Sequence, residues 1–198
     1  MIPVELISSI YEQFAHAKPA RGANSRKPAL RTGVHYTRLV VVSLVLDEVI
    51  DGLTGRESVL DLTCGSGVFL VEALRRMVSL RTRDESLTRE IIRSTLYEQI
   101  YGVDISEAAV RVAAFSLYLA ALELDPDPHP PHALKFKPLI GKTLLVGDAR
   151  TVENSVGGSP VLTTKEGLKQ FDLIVGNPPW SFRGKRGTKE RRKTQGPG

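Results

Sequence analysis

The chain has 198 residues, 41% apolar and 25% charged, enough for one domain with its own core. No apolar run reaches the roughly 18–20 residues of a membrane span; the best candidate, 39–46, is bounded by Arg38 and Asp47. The single Cys64 excludes an internal disulfide and a Cys-rich metal site, and fits a reducing cytoplasm.

The first residues, MIPVELISSIYEQF, lack the basic start and cleavage site of an export signal. The net charge of +5 is concentrated in residues 181–198, where seven bases face Glu190 alone. That segment reads as a solvated, disordered basic arm, and such an arm can order on phosphates.

In chain order, residues 3–15 carry Val4, Ile7, Ile10, Tyr11 and Phe14 near helical spacing, and 18–36 are polar, basic and rich in turn residues. Thr37 is placed to cap a helix running to about Ile50 and ended by Gly52. SVLDLT (58–63) predicts a strand, CGSG a tight turn, and 68–79 a helix. A charged helix is expected over 87–97, a strand over IYGVD (100–104), and an Ala-rich helix capped by Ser106 and running to about Leu124. The proline-rich stretch 125–138 predicts no regular structure. TLLVGDA (143–149) and FDLIVG (171–176) predict two further strands.

Strands alternating with helices imply a Rossmann-like, doubly wound, mostly parallel α/β sheet. Right-handed crossovers bring all strand C-termini to one edge, where ligands bind. Each of those ends carries polar chemistry: Asp61, Asp104, Asp148 and Asn177. Any one of them is an ordinary turn residue, but four on one predicted edge point to a site. In DLTCGSGVFL, Gly65 and Gly67 let the backbone approach a ligand and open a helix whose N–H groups face it. A bare strand-to-helix turn also produces GxG. Leu70 stands where a dinucleotide fingerprint has its third Gly, and no phosphate-binding GxxxxGK[ST] occurs. Asp104, at the end of the second strand, suits the two ribose hydroxyls of a nucleoside. Because Ser106 takes the cap, Asp104 is expected to remain available to a ligand. Asp148 suits an exocyclic amine. Cys64, Ile105 and Ala149, each adjoining one of these positions, complete the expected cofactor contacts. Two acids and a glycine loop without a phosphate binder point to S-adenosylmethionine.

NPPW (177–180) follows the last strand, which is expected to lie beside the first. An aromatic amine is a poor nucleophile because its lone pair is delocalised into the ring. The Asn177 side-chain oxygen and the Pro178 carbonyl can accept its two N–H bonds and localise that pair. Pro179 restricts Pro178 to extended conformations and fixes the carbonyl's direction. Trp180 can stack on a base swung out of a duplex.

Taken together, TGVHYT (32–37), DLTCGSGVF (61–69), GVD (102–104), GDA (147–149) and NPPW resemble the S-adenosylmethionine-dependent DNA amino-methyltransferases. Their order resembles the gamma class of adenine-N6 enzymes of restriction-modification systems. The resemblance covers residues 30–182. It implies that Thr32, Tyr36 and Thr37 line the methionine side of the cofactor and that Asp61, Gly65 and Gly67 cradle it. Asp104 then holds the ribose, Asp148 meets the adenine, and Asn177, Pro178 and Trp180 act on the target base. The expected division is an N-terminal helix and basic loop (1–36), a methyltransferase domain (37–182) and a basic tail (183–198). DNA is the expected partner, contacted through Arg183, Lys185 and Arg186. This chain departs from the family at Arg38, where Pro is usual, and at Thr63, where the loop usually has Pro.

The family continues past NPPW with a helix, further strands and a recognition domain. The chain is therefore expected to be a fragment or one part of a split enzyme, its last strand an exposed edge completed by a further segment or subunit. Robust turnover by the chain alone would refute that expectation. Enzymes that methylate RNA guanine or a protein glutamine share NPP-type motifs, but usually have Tyr after the prolines and lack the TGVHYT element. A non-catalytic cofactor- or nucleic-acid-binding module is the other alternative. HPPH (129–132) reads as a surface loop rather than a metal site, as do His16 and His35.

Overall fold

In a computed structural model describing residues 6–7, 10–11, 37–127, 135–149, 163–164 and 167–178, the elements follow in this order: α1 (Leu39–Ile50), β1 (Val59–Asp61), α2 (Val68–Arg81), α3 (Arg89–Glu98), β2 (Ile100–Asp104), α4 (Glu107–Leu124), β3 (Leu144–Val146), β4 (Thr163–Thr164), β5 (Gly167–Leu168) and β6 (Leu173–Val175). Four strands form one parallel sheet in the order β3-β2-β1-β6. The chain steps from β1 to β2 to β3 in one direction and then returns to the far side of β1. This reversal makes the gap between β1 and β6 the switch point of a doubly wound sheet. The expected α/β architecture is the one found.

Alternation along the strands separates two faces. Val59, Ile100, Leu144 and Val175 join the main core with α2, α3 and α4. Leu60, Tyr101, Val103 and Leu145 form a second cluster on the other face, with Leu62 and Phe171 against it. Most of the buried residues of α4 are alanines, and these let α2 approach closely. Gly67, at φ 89°, ends the turn after β1 there, and a Cβ on it would stand 2.9 Å from Ala113 Cβ.

Local chemistry sets most element boundaries. The Ser106 hydroxyl oxygen accepts the Ala109 N–H at 3.3 Å at the start of α4, and Thr88 accepts the Ile91 N–H at 3.2 Å at the start of α3. The Asp172 carboxylate accepts both the N–H and the hydroxyl of Ser58, each at 2.7 Å. That bond clamps the starts of β1 and β6 together and holds their register, which pairs Asp61 with Val175.

Two expectations change. Thr37 does not cap α1. Arg38 occupies the cap position with no side-chain bond, the N–H groups of Val41 and Val42 go to the Arg38 carbonyl, and the Thr37 hydroxyl is engaged elsewhere. The antiparallel pair β4–β5 was not expected, because two-residue strands show no period in sequence. Of the N-terminal segment, residues 6–7 and 10–11 are helical, and the Tyr11 hydroxyl lies 3.4 Å from Ser106 Oγ. The rest of the expected helix 3–15, the loop 18–36 and the basic tail lie outside the described residues. No described helix is long and apolar enough to cross a membrane.

Gly67→Ala should lower stability by about 1–3 kcal/mol, through left-handed backbone strain and the clash with α4. A shift in the denaturant midpoint measures it, and an unchanged midpoint would contradict the close approach of α2 and α4.

Candidate functional site

Parallel strands in register bring Asp61, Asp104, Asp148 and Asn177 to one sheet edge. Asp104 organises it. One carboxylate oxygen accepts the Gly65 N–H at 2.9 Å, and the other accepts the Ser106 N–H at 2.8 Å. The Asp104 carbonyl also accepts the Gly147 N–H at 2.9 Å. The glycine loop, the start of α4 and the exit from β3 thus converge on one residue. Asp104 is not the idle acid expected when Ser106 takes the cap. Each of its oxygens nevertheless has a second lone pair for a hydroxyl.

The glycine loop is anchored again where the Cys64 N–H donates to the Val103 carbonyl at 2.9 Å. The Cys64 side chain points into the core, where a Cβ on Gly102 would meet its sulfur at 3.1 Å. Only the backbone of Cys64 can therefore face a ligand. Burial first, then Asp61 and Asp104, push its thiol well above the ordinary range. At Gly65 the space beyond the backbone is open among the described residues: a Cβ there would meet none of them within 4 Å. Beside Asp104, Ile105 is 68% exposed. Asp148 and Ala149 are half-buried just past β3.

Asp61 lies beneath the loop, 1% exposed, rather than open at the edge. It accepts the Thr63 N–H at 2.9 Å. Gly176 packs directly on it: φ is 152°, and a Cβ would fall 2.6 Å from Asp61 Oδ1. Sequence reasoning gave Gly176 no role. The available signal was a glycine closing an apolar strand immediately before NPP, which often marks a close backbone approach.

Next to Gly176, the Asn177 side-chain amide donates to Thr37 Oγ1 at 3.2 Å. The structure thus joins the last residue of TGVHYT to the first of NPPW. Pro178 is exposed beside it. Thr32, Tyr36, Pro179, Trp180, Arg183, Lys185 and Arg186 lie outside the described residues, as do His16, His35, His129 and His132. Among the described residues no group of His, Cys, Asp or Glu could hold a metal ion.

Comparison with known proteins gives a family model, Eco57I restriction-modification methylase, that matches residues 98–196. The type II restriction enzyme and methyltransferase RM.Eco57I of Escherichia coli is 26% identical over 171 residues, covering 71% of this chain and 17% of that protein. The adenine-specific methyltransferase PglX of Streptomyces coelicolor is 33% identical over 146 residues, 61% of this chain and 12% of that one. A modification subunit of a restriction enzyme described as type I, from Vibrio vulnificus YJ016, superposes with a TM-score of 0.48 at 22% identity, covering 92% of this chain and 30% of that chain. The chain spans less than a fifth of the length of these curated relatives.

Desolvation, reinforced by the nearby Asp104 charge and opposed by the Thr63 N–H, raises the Asp61 pKa from 3.8 to about 7. An acid with a raised folded pKa binds more protons folded than unfolded between those values, so stability falls as pH rises from about 4 to about 7 and then levels. Asp61→Asn keeps an acceptor for Thr63 and carries no charge. It should flatten that slope and add on the order of 1–4 kcal/mol at pH 8. Melting curves from pH 4 to 8 check this, and an undiminished slope in the variant would assign the effect to another group.

Proposed function

The chain belongs to the Eco57I restriction-modification methylase family, whose model matches half of it, and on that premise we propose that it binds S-adenosylmethionine at the switch-point edge and directs methyl transfer to adenine N6 in DNA. One observation carries this reading. The Asp104-held glycine loop and Asn177 stand on either side of Asp61, brought together by β6 lying beside β1.

The residues present fit the cofactor. The open space at Gly65 can receive the methionyl part, the spare lone pairs of Asp104 can take ribose hydroxyls, and exposed Ile105 can cover one adenine face. Asp148, half-buried just past β3 at the same sheet edge, can accept from the adenine amine. When bound, the cofactor supplies an electrophilic methyl group on a sulfonium.

The chain's own residues act on the other reactant. Asn177 Oδ1 and the Pro178 carbonyl accept the two N–H bonds of the target amine and draw its lone pair out of the ring. They also hold it in line with the donor, so much of the rate comes from positioning. Acceptors built into the fold need no reorganisation as positive charge develops on the nitrogen. Trp180 stacks on the extruded base, and Arg183, Lys185 and Arg186 contact nearby phosphates. The target sequence is read by segments other than those described.

The test is single-turnover transfer of labelled methyl with the full chain in excess over duplex DNA. Label is expected in N6-methyladenine, with Asn177→Ala roughly 100-fold slower or worse. Ile105→Ala should leave the cofactor-free melting temperature unchanged and weaken cofactor binding roughly tenfold, by the loss of apolar cover. Label in RNA guanine or a protein glutamine amide would reassign the substrate. No cofactor binding and no transfer to any of the three would overturn the reading.

A further inference from the structure

Asn177 can serve as an acceptor only if its amide faces the right way. The terminal torsion of an asparagine is broad and nearly two-fold. Rotation by half a turn would present an NH2 donor to the N–H bonds of the target amine, replacing attraction with repulsion. The backbone is already fixed, because Gly176 lies against the buried Asp61 carboxyl. Fixing the amide plane needs a second contact, and the structure provides it 140 residues away in sequence, where Asn177 Nδ2 donates to Thr37 Oγ1 at 3.2 Å.

Thr37 suits this task. It is 9% exposed, and α1, which follows it, is anchored in the core by Val42 and Leu46. Its β-branched side chain has few rotamers. Its hydroxyl is not used by the first turn of α1, whose N–H groups bond to the Arg38 carbonyl. With the NH2 branch turned to Thr37, the oxygen branch of the same planar amide is directed away from it.

We propose that Thr37 is a positioning residue for Asn177, holding the side-chain amide so that its oxygen, not its nitrogen, faces the target amine. This rests on the methyltransferase reading above. It differs from the role the family resemblance implies for Thr37, a contact with the methionine side of the cofactor.

The test uses the full chain with Thr37→Val, Thr37→Ser, Asn177→Ala and the double variant Thr37→Val/Asn177→Ala. Thr37→Ala removes the same oxygen without adding a methyl group and reads the same way if the valine variant folds poorly. The first readout is the NMR signal of the Asn177 side-chain NH2, identified by its loss in Asn177→Ala. Its protons should exchange slowly in the wild type and in Thr37→Ser, and fast in Thr37→Val. Fast exchange in the wild type, as when the Thr37 hydroxyl donates to the amide oxygen instead, overturns the proposal, and so does a signal unchanged in Thr37→Val.

The second readout is the single-turnover rate at saturating cofactor. Thr37→Val should lose roughly five- to tenfold, the worth of one hydrogen bond, and Thr37→Ser should recover it. On the Asn177→Ala background the same substitution should cost nothing more, because a residue acting only through Asn177 has no effect without it. Independent losses, or weaker cofactor binding with an unchanged saturated rate, overturn the proposal and make Thr37 a cofactor ligand. A wild type that neither binds the cofactor nor transfers a methyl group fails the methyltransferase reading instead, and the amide exchange still decides whether Thr37 holds Asn177.

Discussion

The carboxylate of Asp104 accepts a main-chain N–H on each of its two oxygens, and the sheet edge depends on that pair of bonds. One donor, Gly65, belongs to the loop leaving β1, and the other, Ser106, to the turn that starts α4. Bonds to an ionised acceptor are stronger than neutral ones, and they point two backbone segments at the same small volume. The Asp104 carbonyl fixes Gly147 as well, so the exit from β3 joins the arrangement. A residue whose sequence context suggests a ligand contact is therefore first a brace. The ligand is offered the lone pairs that the brace leaves over.

On the other side of the switch point the constraint is steric. β6 approaches β1 closely enough that Gly176 touches the Asp61 carboxyl, and any side chain at 176 would collide with it. The Ser58–Asp172 clamp at the opposite end of the same strand pair sets the register that makes this contact possible. Asp61 is buried there, and that burial raises its pKa to about 7. A buried acid at a sheet edge costs stability at neutral pH. Here that cost accompanies the close approach of the strand bearing Asn177, an instance of strain held where chemistry is proposed.

Much of this was legible along the chain because it rests on local physics. IYGVD reads as the strand that forms β2 and Ser106 as the α4 cap, since a buried run and a capping hydroxyl act over a few residues. The glycine turn after β1 and the polar strand ends could be read the same way, and parallel topology then put them on one edge. The β4–β5 pair is not legible in the sequence because two residues per strand carry no period. Thr37 reads as a cap in sequence because a threonine just before an apolar helix looks the same whether its hydroxyl turns to the helix or away from it.

By itself, the sequence determined the helices and strands of the parallel sheet, that this sheet is parallel, and which residue types stand at its C-terminal edge. Periodicity, caps and turn chemistry are properties of neighbours in the chain. The tertiary structure alone decided the partners: Asp104 with Gly65, Asp61 with Gly176, Thr37 with Asn177. Each pairing joins residues 39 to 140 positions apart, and nothing in either local stretch encodes the other's distance or direction. Only the packing of β6 against β1, and of α1 against α2, brings those groups within bonding range.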